Sequence, residues 1–278
     1  MQGSFVGRAT LKKIPLLVMM IFISMVALAP FWFMINMGTY KTNALYTGLR
    51  LLPGDYLQGN LKTLRQIRID RFYFNSLFVS LSCSILTVIV CSMCGYALSK
   101  YKFKGRKVML TIVMLTMMVP TQLSLVGFVI EINKIGWLNT HLPLIIPPAA
   151  SAFGVFWIRQ YSSNAIPDSV VESARLDGCG EFRIFLMIAV PFMGPACATL
   201  IMLSFLWSWN SFFIPMIVLS SLKLYTIPLG IRQLATQFRA DVAAQILGMT
   251  IATIPMLIMF AVFSRNLISG LASAAVKE

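Results

Sequence analysis

The chain has 278 residues, of which 58% are hydrophobic and only 12% are charged, and its mean hydropathy is +0.80. Soluble globular chains carry about 45–50% apolar and about 25% charged residues. The composition therefore excludes an ordinary soluble domain and predicts a membrane protein. The Lys and Arg residues behind the net charge of +14 are distributed over both expected faces of the membrane, so we expect the lipid bilayer with its anionic headgroups as their partner, and no nucleic acid.

Six apolar segments carry no Asp, Glu, Lys or Arg and are predicted to cross the bilayer as helices, because a helix satisfies its own backbone in lipid. They comprise residues 14–35, 72–99, 108–130, 142–158, 193–220 and 243–263. The predicted fold is an all-α, polytopic membrane protein that forms one transmembrane domain over residues 1–278. The first segment could be a signal peptide, but it continues past Pro30 to Ile35, which favours a retained span.

The distribution of Lys and Arg predicts the orientation of these spans. A dense basic cluster at residues 100–107 lies between the second and third segments, and short loops rich in Lys and Arg face the cytoplasm. Both termini are then cytoplasmic. The longest outer loop, residues 36–71, carries six basic residues against this rule; it is interpreted either as a contact surface for a partner protein or as a packed cap.

The missing residue types exclude several classes of function. A self-powered secondary transporter needs ionisable groups at membrane depth, and the six segments have none. No segment matches the G-x-x-x-x-G-K-[ST] loop that cradles ATP phosphates. The single His141 and the nine acidic residues form no hydrolytic arrangement, and Cys91 and Cys94 lack further ligands for a metal. We therefore predict neither an enzyme nor a cofactor or metal site, but a passive path or one driven by another protein.

One compact charged segment, residues 166–180, interrupts the apolar sequence. Pro167 is predicted in the first turn of a short helix that Ser163 or Asn164 would cap, with Asp168 near its positive end and Gly178 at its stop. About ten residues make a helix of roughly 15 Å, too short to span.

The side-chain pattern along this helix is weakly amphipathic. Val170, Val171 and Ala174 share one face, and Glu172 is placed to pair with Arg175. Residues and spacing leave two roles open for this helix. It either contacts a cytoplasmic protein and transmits its movement, or lies as an amphipathic helix among the lipid headgroups.

The residues themselves resemble a known family. The run from Glu172 to Gly178, E-S-A-R-L-D-G, followed by Val190-Pro191, is similar to the EAA loop of bacterial ABC-importer permeases, with Ser173 in place of the second motif Ala. The resemblance extends over nearly the whole chain and is closest to carbohydrate-uptake permeases of the maltose-transporter type, specifically to the smaller, six-span partner of the permease pair. It is carried by Asn75-Ser76-Leu77, Gly95-Tyr96-Ala97-Leu98, Met118-Val119-Pro120-Thr121-Gln122, Trp209-Asn210 and the tail Ala275-Val276-Lys277.

This resemblance implies a type I ABC importer in the bacterial cytoplasmic membrane. Its expected partners are a second permease subunit, two cytoplasmic ATP-binding subunits that hold ATP and Mg, and an extracytoplasmic sugar-binding protein. A cytoplasmic coupling loop, residues 162–190, would contain a coupling helix that docks on the ATPase. The docking residues implied by the resemblance are Glu172, Ser173, Ala174, Arg175, Leu176, Asp177 and Gly178.

Polar and aromatic residues inside the spans are candidates for the path of a neutral solute. Gln122 follows a kink expected at Pro120, and the fifth segment brings indoles and an amide together at Trp207, Trp209, Asn210 and Ser211. Of these, Gln122, Trp209 and Asn210 are the chosen candidates. Polar residues also connect helices within bundles, and Trp also marks membrane interfaces. The predicted function is a permease subunit for sugars or oligosaccharides, with an ABC permease for another small polar solute or a passive channel as alternatives.

Overall fold

A computed structural model describes residues 14–48, 51–237 and 241–275, and the side chains of all of these except 121–122, 236–237 and 265–275. Within this part of the chain the structure is helical and contains no strand, which confirms the all-α prediction. The first seven helices are α1 (Ile14–Met37), α2 (Leu57–Gln66), α3 (Ile69–Lys100), α4 (Arg106–Met118), α5 (Leu125–Lys134), α6 (Leu142–Ala149) and α7 (Ala152–Ala165). They are followed by α8 (Asp168–Leu176), α9 (Glu181–Phe192), α10 (Gly194–Trp209), α11 (Phe213–Val218), α12 (Ile227–Ile231), α13 (Gln233–Gln237) and α14 (Val242–Ala275).

Four helices in the described residues are long and apolar enough to cross a membrane: Ile14–Met37, Ile69–Lys100, Leu142–Ala165 and Val242–Ser264. A fifth span arises if α9 and α10, which meet at an angle of 79°, are counted together. These five correspond to five of the six predicted segments.

The third predicted segment is broken, which confirms the kink expected at Pro120. Helix α4 ends at Met118, Val119 adopts an extended conformation (φ −82°, ψ 120°), and a 3₁₀ turn over Thr121–Ser124 leads into α5. The proline ring disfavours a helical conformation in the residue before it. Residues 108–130 therefore do not form one helix, and a crossing built from the two pieces remains a prediction.

One predicted boundary is wrong and another is untested. The predicted start of the coupling loop, residue 162, lies within α7, which continues to Ala165, and where the chain leaves the membrane stays a prediction. The fifth predicted segment does not continue as one helix to residue 220, since α10 ends at Trp209 and the short α11 follows.

The chain divides into two compact units. The smaller unit combines residues up to Ile69 with Ile231–Thr253. In it the predicted outer loop is ordered: the buried Asn60 side chain donates hydrogen bonds to the carbonyls of Gly38 and Tyr40, both at 2.8 Å. Thr42 Oγ1 donates to Asp241 Oδ1 at 2.7 Å. The loop is packed by these bonds, and its role as a contact surface remains a prediction.

The larger unit comprises Asp70–Gly230 and Ile254–Glu278. Its core depends on a close approach of α3 and α7 at two glycines, one on each helix. A Cβ atom on Gly95 would lie 2.8 Å from the Cβ of Ile158 and 2.9 Å from the backbone N of Arg159, and one on Gly154 would lie 2.6 Å from Cys91 Sγ. Small residues at such crossings let helix backbones pack directly. The predicted coupling segment and the cavity described below both belong to this unit.

Candidate functional site

The predicted coupling helix is α8, Asp168–Leu176, a helix of nine residues. Asp168 lies in its first turn, as predicted. The predicted start is wrong in detail: Pro167 is extended (φ −65°, ψ 134°) and precedes the helix, and Ser163 and Asn164 belong to the end of α7 rather than capping α8. The sequence signal was misplaced by about one turn because α7 runs seven residues beyond residue 158, where the apolar segment was predicted to end.

The end of α8 is a Schellman motif at Gly178, the predicted stop. The N–H of Gly178 donates to the carbonyl of Arg175 and the N–H of Cys179 donates to that of Ala174, both at 3.0 Å. Gly178 has φ +79°, and a Cβ there would meet nothing within 4 Å. The glycine is therefore required by its left-handed backbone and not by crowding within the chain.

The two faces of α8 differ sharply. Val171 and Ala174 are buried in a core cluster that includes Tyr96 of α3 and Ile184 of α9, which confirms the predicted apolar face for these two residues. The opposite surface is exposed, and Leu176 at its end is 89% exposed. Almost none of the apolar Leu176 side chain is buried within the described chain. The other exposed members of the predicted docking set are Glu172, Ser173, Arg175, Asp177 and Gly178.

A buried lysine holds the N-terminal end of α8. Lys100 Nζ lies 2.6 Å from Asp168 Oδ1 and donates a second hydrogen bond to the carbonyl of Ile166 at 2.5 Å. The lysine side chain is 5% exposed and the aspartate side chain is 75% exposed. The hydrogen bond and the charge of Lys100 lower the pKa of Asp168 below its usual value. Because Lys100 is the last residue of α3, this contact joins α8 to that helix.

A second ion pair holds the C-terminal end. Arg175 Nε lies 2.7 Å from Glu181 Oε1, and Arg175 Nη2 lies 3.2 Å from Glu181 Oε2. This fork geometry is a strong form of salt bridge, and the hydrogen bond from Arg175 lowers the pKa of Glu181. The predicted pairing of Arg175 with Glu172 is therefore wrong, because Glu181 at the start of α9 takes both guanidinium contacts.

Tyr101 completes the connection to α3. The Arg175 guanidinium lies 5.9 Å from the centre of the Tyr101 ring, within cation–π range. Burial, followed by the charge of the nearby Glu181, raises the pKa of Tyr101 to about 12. Lys100 and Tyr101, adjacent at the end of α3, thus contact the two ends of α8.

An open polar cleft of about 590 Å³ lies beside α8, and the basic residues Lys102 and Arg106 line it together with Glu172. The basic cluster that predicts the cytoplasmic side and the predicted coupling helix are therefore neighbours in space.

Lys100, Tyr101 and Glu181 are functional candidates that the sequence interpretation missed. Lys100 and Tyr101 precede α8 by more than sixty residues, so no local pattern connects them with it. Glu181 offered a weak signal, since it is the first acid after the two glycines that end α8.

The predicted solute-path residues have different environments. Trp209 is 2% exposed, stacks on Phe205 at 5.5 Å and meets the edge of Tyr73 at 5.6 Å, so it is a core residue in this conformation. Asn210 is exposed at the end of α10, and its Nδ2 donates to the carbonyl of Leu206 at 2.8 Å. The side chain of Gln122 lies outside those that the structure describes. The structure does not bring these three side chains into one site.

Comparison with known proteins identifies the family. The model of the binding-protein-dependent transport system inner membrane component family matches residues 88–272. The arabinooligosaccharides transport permease AraQ of Bacillus subtilis is 36% identical over 207 residues, which cover 74% of this chain and 73% of AraQ. The lactose transport permease LacG of Rhizobium radiobacter is 31% identical over 243 residues, or 87% and 88% of the two chains.

A solved structure shares the fold. One chain of a bacterial ABC transporter involved in the import of the acidic polysaccharide alginate matches with a TM-score of 0.79 at 22% identity, over 92% of this chain and 96% of that one. The family match over residues 88–272 and the 36% identity with AraQ show that this chain belongs to the family of inner membrane permease components of binding-protein-dependent transport systems.

Proposed function

We propose that the chain is the permease subunit of an ATP-driven importer for sugars or oligosaccharides. The names of its relatives, which refer to arabinooligosaccharides and lactose, support this class of substrate. The proposed assembly contains a second permease, two cytoplasmic ATPase subunits and an extracytoplasmic sugar-binding protein. ATP and Mg belong to the ATPase subunits, and this chain supplies the path and the mechanical connection.

The observation that carries the proposal is the arrangement of α8. Leu176 is 89% exposed at the end of a helix whose inner face is buried and whose ends are held by ion pairs. A rigid helix that offers an apolar side chain among charged ones suits docking into a cleft of another protein. We assign this contact to the ATPase, with the exposed residues Glu172, Ser173, Arg175, Leu176, Asp177 and Gly178 at the surface and Ala174 beneath them.

The ion pairs give this contact a route into the membrane part of the chain. Movement of α8 by closure of the ATPase pair is transmitted through Lys100 and Tyr101 to the end of α3, a helix of 32 residues. It is transmitted through Glu181 to α9, whose junction with α10 is bent by 79°. This bend and the break at Pro120 are the places where the helices are expected to change angle during alternating access.

The proposed location is the bacterial cytoplasmic membrane with both termini in the cytoplasm. The basic cluster lies next to α8, where the ATPase would dock, and positively charged loops favour the same side. The ordered loop of the smaller unit then faces outward, where it would contact the sugar-binding protein or the second permease.

One substitution tests docking on the ATPase without disturbing the fold of this chain. Leu176→Glu places a charge on the exposed end of α8 and disturbs no internal contact. In the transporter purified in mild detergent, we expect the wild-type chain to retain a P-loop ATPase and a second permease, and the variant to retain only the permease. Reconstituted variant should also lose sugar-stimulated ATP hydrolysis.

Leu52→Glu is the matched control, because Leu52 is an equally simple exposed leucine (72% exposed) in the loop assigned to the opposite side. It should keep the ATPase bound. Recovery of the wild-type chain without any ATPase, or full retention of the ATPase by Leu176→Glu, would contradict the proposal.

A further inference from the structure

A cavity lined by hydroxyl groups lies within the larger unit, away from α8. It has a volume of about 150 Å³ and is formed by α3, α6, α10 and α11 with their connecting segments. Six hydroxyl side chains line it: Thr87, Ser151, Ser204, Ser208, Ser211 and Thr226. None of the described residues that line it is charged.

Two of these hydroxyls have no partner within the described chain. Ser204 is 5% exposed and Thr226 is 4% exposed, yet neither Ser204 Oγ nor Thr226 Oγ1 has a hydrogen-bond partner. Leaving a buried hydroxyl unsatisfied is unfavourable. Serine can donate to the carbonyl four residues earlier in its own helix, as Ser84 does to Ser80, but Ser204 does not. Both residues border the cavity, but their oxygen atoms are covered in this conformation, so each side chain must rotate toward the cavity to bond a molecule there.

The remaining lining suits a neutral, polyhydroxylated molecule. Trp207 borders the cavity and is held edge-to-face against Phe153, with ring centres 5.3 Å apart. An indole face packs against the apolar C–H face of a sugar ring, while hydroxyls take up the ring's oxygen atoms. The absence of charge among the lining residues argues against an anionic or cationic occupant. A cavity of about 150 Å³ holds benzene, and a sugar ring with its hydroxyls is larger than benzene, so the cavity takes at most one sugar ring and no oligosaccharide.

We infer that this cavity is a subsite of the transport path that holds a single neutral sugar unit, with Ser204 and Thr226 as hydrogen-bond donors and Trp207 as the packing surface. The inference rests on the proposed function as a sugar importer and names where this chain contacts the solute. All of these residues lie within Asp70–Gly230 of one compact unit, so this chain alone supplies the lining described here.

Thermal unfolding of the intact transporter without its binding protein tests the inference. The probes are L-arabinose, D-glucose and D-galactose at concentrations well above millimolar, with mannitol to correct for the general stabilising effect of polyols. At least one sugar should raise the unfolding temperature of the wild type beyond mannitol, because a ligand stabilises the state that binds it. The double variant Ser204→Ala/Thr226→Val should lose this additional shift, corresponding to an affinity reduced by about tenfold or more.

Ser80→Ala is the matched control. Ser80 is 1% exposed and its Oγ is likewise without a partner in the described chain, but it does not line the cavity. It should keep the full sugar-dependent shift. Equal shifts in the wild type and the double variant would overturn the inference, and so would the absence of a shift for every sugar.

Two native cysteines give a second measurement that needs no variant. Cys83 lines the cavity, and Cys94 is exposed on the same helix outside it. Sugar should slow the reaction of Cys83 with methyl methanethiosulfonate severalfold and leave that of Cys94 unchanged. Equal rates, or no reaction of Cys83 even without sugar, would overturn the inference.

Transport by the reconstituted importer separates this inference from the proposed function. If sugar is imported but neither measurement responds, only the subsite is wrong. If no sugar is imported, the proposed substrate class is wrong as well.

Discussion

Two regions of the larger unit differ in the pairing of the polar groups to which a function is assigned. At α8 the charged groups that hold the helix are paired: Lys100 with Asp168, and Arg175 with Glu181. In the cavity the buried hydroxyls of Ser204 and Thr226 have no partner within the described chain. The ion pairs are suited to transmit movement of α8, whereas the two unpartnered hydroxyls are suited to bind a solute.

The difference predicts opposite responses to mutation. Removing a partner from α8 leaves a charge or carbonyl unpaired and should destabilise the protein. Removing a hydroxyl from the cavity deletes a group that is already unpaired and should stabilise the empty protein. The variants below test this contrast, from the largest expected effect to the smallest.

Gly95→Leu should break both regions at once, because α3 contributes to each. A Cβ added to Gly95 would lie 2.9 Å from the backbone N of Arg159, so a leucine side chain there must separate α3 from α7. We expect a loss of about 3 kcal/mol or more in the free energy of unfolding, at the upper end for overpacked cores. Denaturant unfolding of the purified transporter measures this loss. Gly127→Leu is the control, since nothing lies within 4 Å of a Cβ there, and an equal loss in both variants would contradict the account.

Lys100→Met should uncouple α8 from α3. Asp168 is 75% exposed and can turn to water, but the carbonyl of Ile166 loses a donor, so we expect a loss of about 1–2 kcal/mol in stability. The more specific effect is functional: ATP hydrolysis should continue while sugar import falls. Paired assays of hydrolysis and import in proteoliposomes measure the ratio. Lys102 is an exposed neighbour, and Lys102→Met should leave the ratio of sugar import to ATP hydrolysis unchanged. If Lys100→Met also left this ratio unchanged, the proposed route from α8 to α3 would be wrong.

Acid should weaken the anchoring of α8. The pKa values of Asp168 and Glu181 are lowered in the folded chain. Carboxylates of this kind contribute stability that is present above their unfolded pKa values, about 4, and lost as the pH falls through the folded values. Stability should therefore be constant from pH 7 to 5 and fall below about pH 4.

Thermal unfolding across this range should show a smaller acid-dependent loss in Asp168→Asn/Glu181→Gln than in the wild type. Because both carboxylates are substantially exposed, the difference should be modest. Identical pH profiles would show that the two pairs do not contribute.

Ser204→Ala should give the smallest change and the opposite sign. Without sugar, removal of the unpartnered hydroxyl should raise the free energy of unfolding by up to about 1 kcal/mol. Denaturant unfolding of the sugar-free transporter measures it. A clear loss of stability would mean that the hydroxyl is bonded in the empty protein, and the contrast between the two regions would fail.

The sequence predicts α8 far better than the cavity, for a physical reason. The charged residues, Asp168 in the first turn and Gly178 at the stop lie within one short stretch, where capping and dipole rules apply. The partners of α8 do not: Glu181 lies six residues beyond Arg175, outside the i+3 and i+4 spacings of a helix, and Lys100 lies on another helix.

The cavity was predicted only in part: Trp207 and Ser211 were among the path candidates, but most of its lining comes from other segments between residues 79 and 226. In sequence, a serine within an apolar segment is typical of close helix packing. Only the folded structure shows which serine hydroxyls lack a hydrogen-bond partner. Trp209 illustrates the converse, since an aromatic residue chosen for the path lies in the core at 2% exposure. Trp207, named beside it as a path candidate, borders the cavity.

The most direct test of the central claim is photo-crosslinking from position 176 in cells. A photoreactive amino acid replaces Leu176 in one strain and Leu52 in another. The account predicts that position 176 forms a crosslink to a P-loop ATPase and that position 52 does not. Crosslinks from position 176 to lipid alone would mean that α8 is an interfacial helix, and would contradict the assignment of α8 as the coupling helix.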